Sequence, residues 1–336
     1  MEISLIVCTY QRPQAVITLL QSLQEQVVYP DQILVVDGSL DNRTEFLLNL
    51  KRIQNLEYFK VPEEHRGLTR QRNFGISKVN KTSEIVAFLD DDTVPEEKYF
   101  EELLKTYQEH PGAVGVGGYA TNENVWERIP AGYQPKTGEF VYDGWKRVEG
   151  SRFTLRRKLG LAPNAPPGKM PDFSHGYSTG FLPPSGKTYE VEFFTGCAMS
   201  FKRTIFDQLS FSSYFEGYGL YEDLDFCLRA SRLGPLYVNT AAQLHHYHDE
   251  GGRPNHFKYG QMVVRNGWYV WRIKYPDPTY KARAKWYATS LILALVRLAN
   301  GLTGKEKRLA VTEAGGRISS WLLLWVKKPF IQDFIS

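Results

Sequence analysis

The chain holds 336 residues, 42% hydrophobic and 23% charged, a composition that excludes a mainly disordered, collagen-like or coiled-coil protein and allows a sizeable buried core. Its net charge of +4 is unevenly spread: residues 251–336 carry 15 Lys and Arg against 4 Asp and Glu, which leaves residues 1–250 at −7. No run of about 18 uncharged apolar residues occurs, Met1-Glu2-Ile3 has none of the marks of a signal peptide, and Cys8, Cys197 and Cys227 suggest no disulfide framework, so a cytoplasmic protein is expected.

Glu2 to Cys8 is short, apolar and β-branched and predicts a buried strand. Arg12-Pro13 opens a helix whose apolar positions Val16, Leu19, Leu20 and Leu23 have helical spacing. Gln32 to Val36 predicts a second buried strand ending in Asp37-Gly38-Ser39. A helix over Asn42 to Arg52, a short strand over Glu57 to Val61 and a helix over Gly67 to Val79 follow. Glu84 to Leu89 predicts a strong strand running into Asp90-Asp91-Asp92, and Pro95 is placed near the first turn of a helix reaching Glu109. Ala113 to Tyr119 is again strand-like. Such alternation predicts an α/β fold with a mostly parallel twisted sheet and helices on both faces.

Residues 120–190 break the rhythm with Gly, Pro, Tyr and basic residues and read as a long loop, a lid or acceptor-binding insertion. Regular structure resumes with a strand pair around Gly196 over Tyr189 to Phe201, and a short helix over Arg203 to Leu209. A helix over Leu220 to Leu233 carries Glu222, Asp223 and Asp225, and two short strands cover Leu236 to Asn239 and Gln243 to Tyr247. From His256 to about Val326 the pattern is helical and aromatic. The expected organisation is a domain over 1–250 containing the 120–190 insertion, then a basic, aromatic helical extension over 251–336.

Ligands of a doubly wound sheet bind beyond the carboxyl ends of its strands. Thr9-Tyr10, Asp37-Gly38-Ser39 and Asp90-Asp91-Asp92 fall at such ends. Three adjacent carboxylates repel one another unless a cation neutralises them, and hard oxygens suit Mg²⁺ or Mn²⁺. A helix N-cap cluster would also favour Asp there. Gly115 to Gly118 lacks the spacing and helix of a dinucleotide fingerprint.

The segments SLIVCTYQRP, QILVVDGSLDN, GLTRQRNFGI, IVAFLDDDTVP, FFTGCAMSFKR and YEDLDFCLR occur in that order. Together, over roughly residues 1–120 and 189–250, they resemble the family 2 glycosyltransferases of GT-A fold. The resemblance implies an inverting, metal-dependent transferase using a nucleotide-diphosphate sugar. It implies that Thr9 and Asp37, with neighbouring Tyr10, contact the nucleotide, that Arg72 and Asn73 line its pocket, and that Gly196 borders the donor sugar. Asp90 and Asp92 match the ends of the D-x-D motif, the first facing the ribose and the second binding metal, with Asp91 between them on the donor side. Asp223 matches the catalytic base, with Glu222 beside it on the acceptor side and able to raise its pKa. His246 matches a late histidine that completes the metal shell in some members, with His248 the runner-up. Cys197 is read as a packing residue.

UDP is the expected nucleotide and a glycan or lipid-linked molecule, as in surface polysaccharide assembly, the expected acceptor; nucleic acid is not expected as a partner, and a homo-oligomer is left open. The apolar stretches Trp286 to Leu302 and Trp321 to Val326, flanked by Lys and Arg, suit either a helix lying on an anionic inner membrane face or packing on the protein. Two other classes compete: a nucleotidyltransferase making nucleotide sugars, disfavoured because CTYQRPQ lacks a glycine-rich phosphate loop, and a non-catalytic sugar-binding protein.

Overall fold

The computed structural model describes residues 1–173, 176–215, 217–248, 255–303 and 307–331. The expected boundary at 250/251 and the last residues, 332–336, lie outside them. The chain forms two compact units, one built from residues 1–124 and 178–253, the other from 125–177 and 254–334.

In the first unit, strands β1 (Ile3–Thr9), β2 (Gln32–Asp37), β3 (Leu56–Lys60) and β4 (Ile85–Asp90) alternate with helices α1 (Pro13–Leu23), α2 (Arg43–Asn49) and α3 (Leu68–Ile76). The short strand β5 (Thr93–Pro95), helix α4 (Tyr99–Glu109) and strand β6 (Gly115–Ala120) follow. Later in the chain come β10 (Thr188–Val191), β11 (Ala198–Lys202), helix α6 (Glu222–Ala230) and the long strand β12 (Leu236–His246). The strand order is β10-β12-β6-β11-β4-β1-β2-β3, with β5 paired to β12. β1, β2, β3 and β4 run parallel, and β11 lies antiparallel between β4 and β6. The sheet is therefore mixed and mostly parallel.

Both faces of the central strands are covered, which explains their unbroken apolar runs. Leu5, Val7, Val35, Ala87 and Leu89 pack with Val16, Leu19, Leu20 and Leu23 of α1 and with Tyr99, Phe100 and Leu103 of α4. On the other face α3 lies so close that a Cβ on Gly75 would meet Ile6 and Val36. Phe88, Phe201, Phe206, Phe211 and Phe226 form a continuous ring cluster there. The glycines of β6 make room for aromatic rings: a side chain at 115, 117 or 118 would strike Phe201, Phe194 or Tyr99.

Four expectations are corrected. Pro95 ends β5 opposite Leu244, and α4 starts only at Tyr99, because a short edge segment tolerates the missing N–H. The strands flanking Gly196 do not pair with each other; β10 pairs with β12, and β11 with β4 and β6. The two short strands after Leu236 are one strand with a register shift between Val238 and Gln243. Residues 120–190 are not one long loop, since they contain strands, helices and turns in both units.

In the second unit, β7 (Glu127–Arg128), β8 (Glu139–Tyr142) and β9 (Trp145–Val148) make an antiparallel sheet in the order β7-β9-β8. Its tight hairpin turns at Asp143-Gly144, both at positive φ, as a two-residue turn of this hand requires. Helix α5 (Ser151–Lys158) follows, then α7 (His256–Lys274), α8 (Tyr280–Thr303) and α9 (Lys307–Val326). α7 and α9 cross at a glycine pair: a Cβ at Gly260 would run into the Glu313 carbonyl, and one at Gly316 into that of Phe257. Trp286 of α8 is buried and stacks on Trp271, so that part of the apolar stretch is core.

Candidate active site

Parallel pairing brings the carboxyl ends of the first unit's strands together. Thr9 lies opposite Asp37, and Cys8 opposite Asp90. β12 delivers His246 opposite Thr93, two residues beyond Asp91. Asp90, Asp92 and His246 each offer a ligand atom, and these atoms lie within 4.8 Å of one another. His246 Nε2 is 3.2 Å from Asp92 Oδ1. Arg12 reaches the same edge, 3.0 Å from Asp91 Oδ1 and 3.4 Å from Asp92 Oδ2.

Two carboxylates and an imidazole form a donor set suited to Mn²⁺, and through the carboxylates to Mg²⁺. The set also draws in the cationic groups around it. Burial opposes an imidazolium at His246, yet its contacts with Asp92, Cys197 and Glu123 outweigh that and hold its pKa far above the usual imidazole value. The three donor atoms, within 4.8 Å of one another, fit a divalent cation in place of that proton. Asp91 turns inward: it accepts the Thr9 hydroxyl at 2.7 Å as well as Arg12, and burial pushes its carboxyl up to about 7 against the pull of Arg12.

A second group adjoins through Arg72. Its guanidinium donates to Glu222 Oε1 at 2.6 Å, to the Gly196 carbonyl at 3.2 Å and to Asp90 Oδ1 at 3.5 Å. Asp223, in the first turn of α6, accepts the Gly196 N–H at Oδ2, 2.8 Å, and the Leu224 N–H at Oδ1, 2.7 Å. Tyr221, at φ 73°, turns the chain into this helix. Burial pushes the Asp223 carboxyl up; for Glu222, burial and then the neighbouring Asp223 charge raise it to about 8. The carboxylates thus sit where a proton is readily held. Gly196 has a packing reason, because a Cβ there would press on Glu222 and Asp223. Cys197 is buried, and burial raises its thiol pKa, so it stays an unreactive thiol.

The remaining candidates are placed as follows. Asp37 is fully buried, accepting Ser39 N–H and Tyr58 O–H. Tyr10, the residue after β1, is exposed. Both polar atoms of the Asn73 side chain bond the backbone of Phe211, donating to its carbonyl and accepting from its N–H. His248 joins His246 around Glu123 and makes no part of the Asp90–Asp92 set. Three residues were not anticipated. The sequence presents Arg12 only as a helix opener. Gln71 donates to the carbonyls of Thr9 and Val36, tying the ends of β1 and β2 together. Glu123 holds His246 Nδ1 at 3.1 Å from a segment with no motif.

Over residues 4–209 the sequence matches the family described as Glycosyl transferase family 2. A glucosyl-dolichyl phosphate glucuronosyltransferase of Haloferax volcanii is 31% identical over 121 residues, 35% of this chain and 38% of that protein. The crystal structure of S. aureus TarS aligns with a TM-score of 0.49 at 15% identity, over 91% of this chain and 46% of that one. TarS 1–349 in complex with UDP-GlcNAc gives 0.47 at 12% identity, over 95% of this chain and 90% of that one. The chain thus spans less than half the length of the Haloferax relative and of the longer TarS chain. With a family match covering more than half its residues, the chain belongs to glycosyl transferase family 2.

Proposed function

We propose that the chain transfers a sugar from a nucleoside-diphosphate sugar, UDP being the favoured nucleotide, to a hydroxyl of a glycan or lipid-linked acceptor, with inversion. The observation that carries this reading is the juxtaposition, through one guanidinium, of a metal-type group (Asp90, Asp92, His246) and a carboxylate pair, buried Glu222 and half-buried Asp223. Asp90, Asp92 and His246 would hold Mn²⁺ or Mg²⁺, which would supply Lewis acidity toward the diphosphate leaving group. Asp223 takes the proton of the acceptor hydroxyl as its oxygen bonds to the anomeric carbon and the bond to the nucleoside diphosphate breaks. The Gly196 and Leu224 amides fix that carboxylate, and its raised pKa makes it a stronger base. A single displacement with no protein nucleophile inverts the centre. Titration calorimetry of UDP, GDP and dTDP with and without Mn²⁺ tests the donor side. One nucleotide is expected to bind far more tightly with Mn²⁺, and Asp92→Asn to remove the gain; equal binding in the absence of metal would overturn it.

We place the acceptor at an anionic bilayer surface. Along α9, Val311, Leu322, Trp325 and Val326 are exposed at helical spacing, followed by exposed Lys327, Lys328 and Phe330. The one acid of α9, Glu313, is buried and paired with Arg297 and Arg317, so nothing negative faces outward along the helix. Trp and apolar side chains between cations suit an interfacial helix on anionic lipid. Among the described residues no helix is long and apolar enough to cross a membrane. Sedimentation with phosphatidylglycerol vesicles is expected, lost in the K327E/K328E variant and absent with phosphatidylcholine. A stable dimer that fails to bind either lipid would assign the face to self-association instead.

A further inference from the structure

We propose that Glu123 is the positioning residue of the Asp90–Asp92–His246 group, holding the His246 ring by Nδ1 so that Nε2 faces the two aspartates. This inference rests on the reading that the group takes a divalent cation.

The two ring nitrogens of His246 have different carboxylate neighbours on opposite sides. Nε2 lies 3.2 Å from Asp92 Oδ1, and Nδ1 lies 3.1 Å from Glu123 Oε1. An imidazole presents a lone pair to a metal only from the nitrogen without the proton, and a carboxylate at the other nitrogen fixes both the tautomer and the ring plane. Glu123 supplies that carboxylate. It belongs to neither the D-x-D segment nor the α6 carboxylate pair.

The backbone explains why Glu123 is there. β6 and β12 run parallel, with Ala120 opposite Leu244 at the end of the ladder. Beyond it the pairing continues through a side chain: Asn122 Nδ2 donates to the His246 carbonyl, and the His246 N–H donates to Asn122 Oδ1, both at 2.9 Å. Asn122 therefore pins the His246 backbone, and the next residue, Glu123, reaches its ring. The whole segment after β6 acts as a jig for one histidine. His248 also approaches Glu123, at 3.3 Å, and its ring lies 3.9 Å from that of His246, but it is half exposed and absent from the Asp90–Asp92 set.

Mn²⁺ binding, followed by calorimetry and by the paramagnetic signal of free Mn²⁺ with and without UDP, tests the assignment. Glu123→Ala is expected to weaken Mn²⁺ binding by about 10–100-fold, as removal of an outer-shell partner does. Glu123→Gln, whose amide oxygen still accepts from Nδ1–H, is expected to restore most of that loss. His248→Ala is expected to leave Mn²⁺ affinity unchanged, and thermal melting of Glu123→Ala to stay at the wild-type temperature. Wild-type affinity in Glu123→Ala, alongside a loss in His246→Ala, would overturn the role of Glu123 and keep the metal reading. An equal loss in His248→Ala, or two Mn²⁺ per chain, would move the ion to the Glu123–His246–His248 side and overturn it as well. No Mn²⁺ bound by the wild type, with or without UDP, would sink the metal reading itself and the proposal with it.

Discussion

Asp223→Asn is expected to cut sugar transfer by about 10²–10⁴-fold, the range a positioned general base contributes, while donor nucleotide still binds with wild-type affinity. The substitution keeps the shape and at least one of the two backbone hydrogen bonds, from Gly196 or Leu224. It removes the basic lone pair. Stability should respond in a way that marks the carboxylate as functional. Burial raises the pKa of Asp223, and of Glu222 from 4.5 to about 8, so both bind a proton more tightly folded than unfolded. Stability arising from such groups is fully present below the unfolded pKa and is lost as pH rises through the folded one. For Glu222 that window runs from about 4.5 to about 8. With Asp223 replaced, one raised group is gone and the other loses a repulsive neighbour. The difference in melting temperature should therefore shift in favour of the variant between pH 5 and pH 8. Transfer that survives would show that another group takes the proton. A variant that loses ground to the wild type as pH rises would make Asp223 a structural carboxylate.

The parts legible in the sequence are those with local causes. Buried parallel strands announce themselves as unbroken apolar runs such as Ile85–Asp90, and the carboxylates fall at their ends because the chain must turn there. Pairing between distant strands has no such signature. Nothing in AMSFK tells that β11 slots antiparallel between β4 and β6, or that β10 pairs with β12. The sequence suggests two short strands, Leu236 to Asn239 and Gln243 to Tyr247, where the structure has one. Asn239 instead accepts the Ala241 N–H and donates to Glu102 and Thr106 of α4, which turns the interruption into a bulge inside one strand. Asp143-Gly144 between Phe140-Val141-Tyr142 and Trp145 is a local hairpin signal inside a stretch whose Gly and Pro content otherwise suggests a loop. In the site, Asp90, Asp92, His246 and Asp223 stand in recognisable segments. Arg12 and Glu123 come to the same edge only through tertiary pairing, one from the start of α1 and the other from beyond β6, so no spacing rule could have found them.

Arg72→Met is expected to destabilise the first unit by about 3–5 kcal/mol, the loss typical of stranding one partner of a buried ion pair. The Arg72 side chain is 2% exposed and pairs with Glu222, itself 8% exposed. Its guanidinium centre lies 5.2 Å from the Phe211 ring and 5.9 Å from that of Phe88, so methionine can fill much of the space while removing all the charge. Glu222 then faces Asp223 and Asp90 with no cation between them. Lysine is no substitute, because one ammonium cannot serve Glu222, Asp90 and the Gly196 carbonyl with a planar fork. The double variant R72M/E222Q removes both charges and should recover most of the stability, though not the activity, since Asp90 and Gly196 remain without their anchor. All seven tryptophans, 126, 145, 268, 271, 286, 321 and 325, lie in the second unit, whereas circular dichroism follows both units. Urea unfolding followed by circular dichroism alongside tryptophan fluorescence locates the loss. The expected result is a lower dichroism midpoint in R72M, restored in the double variant. A double variant no more stable than R72M would mean that Arg72 holds the site by packing on the two rings, with its charge secondary.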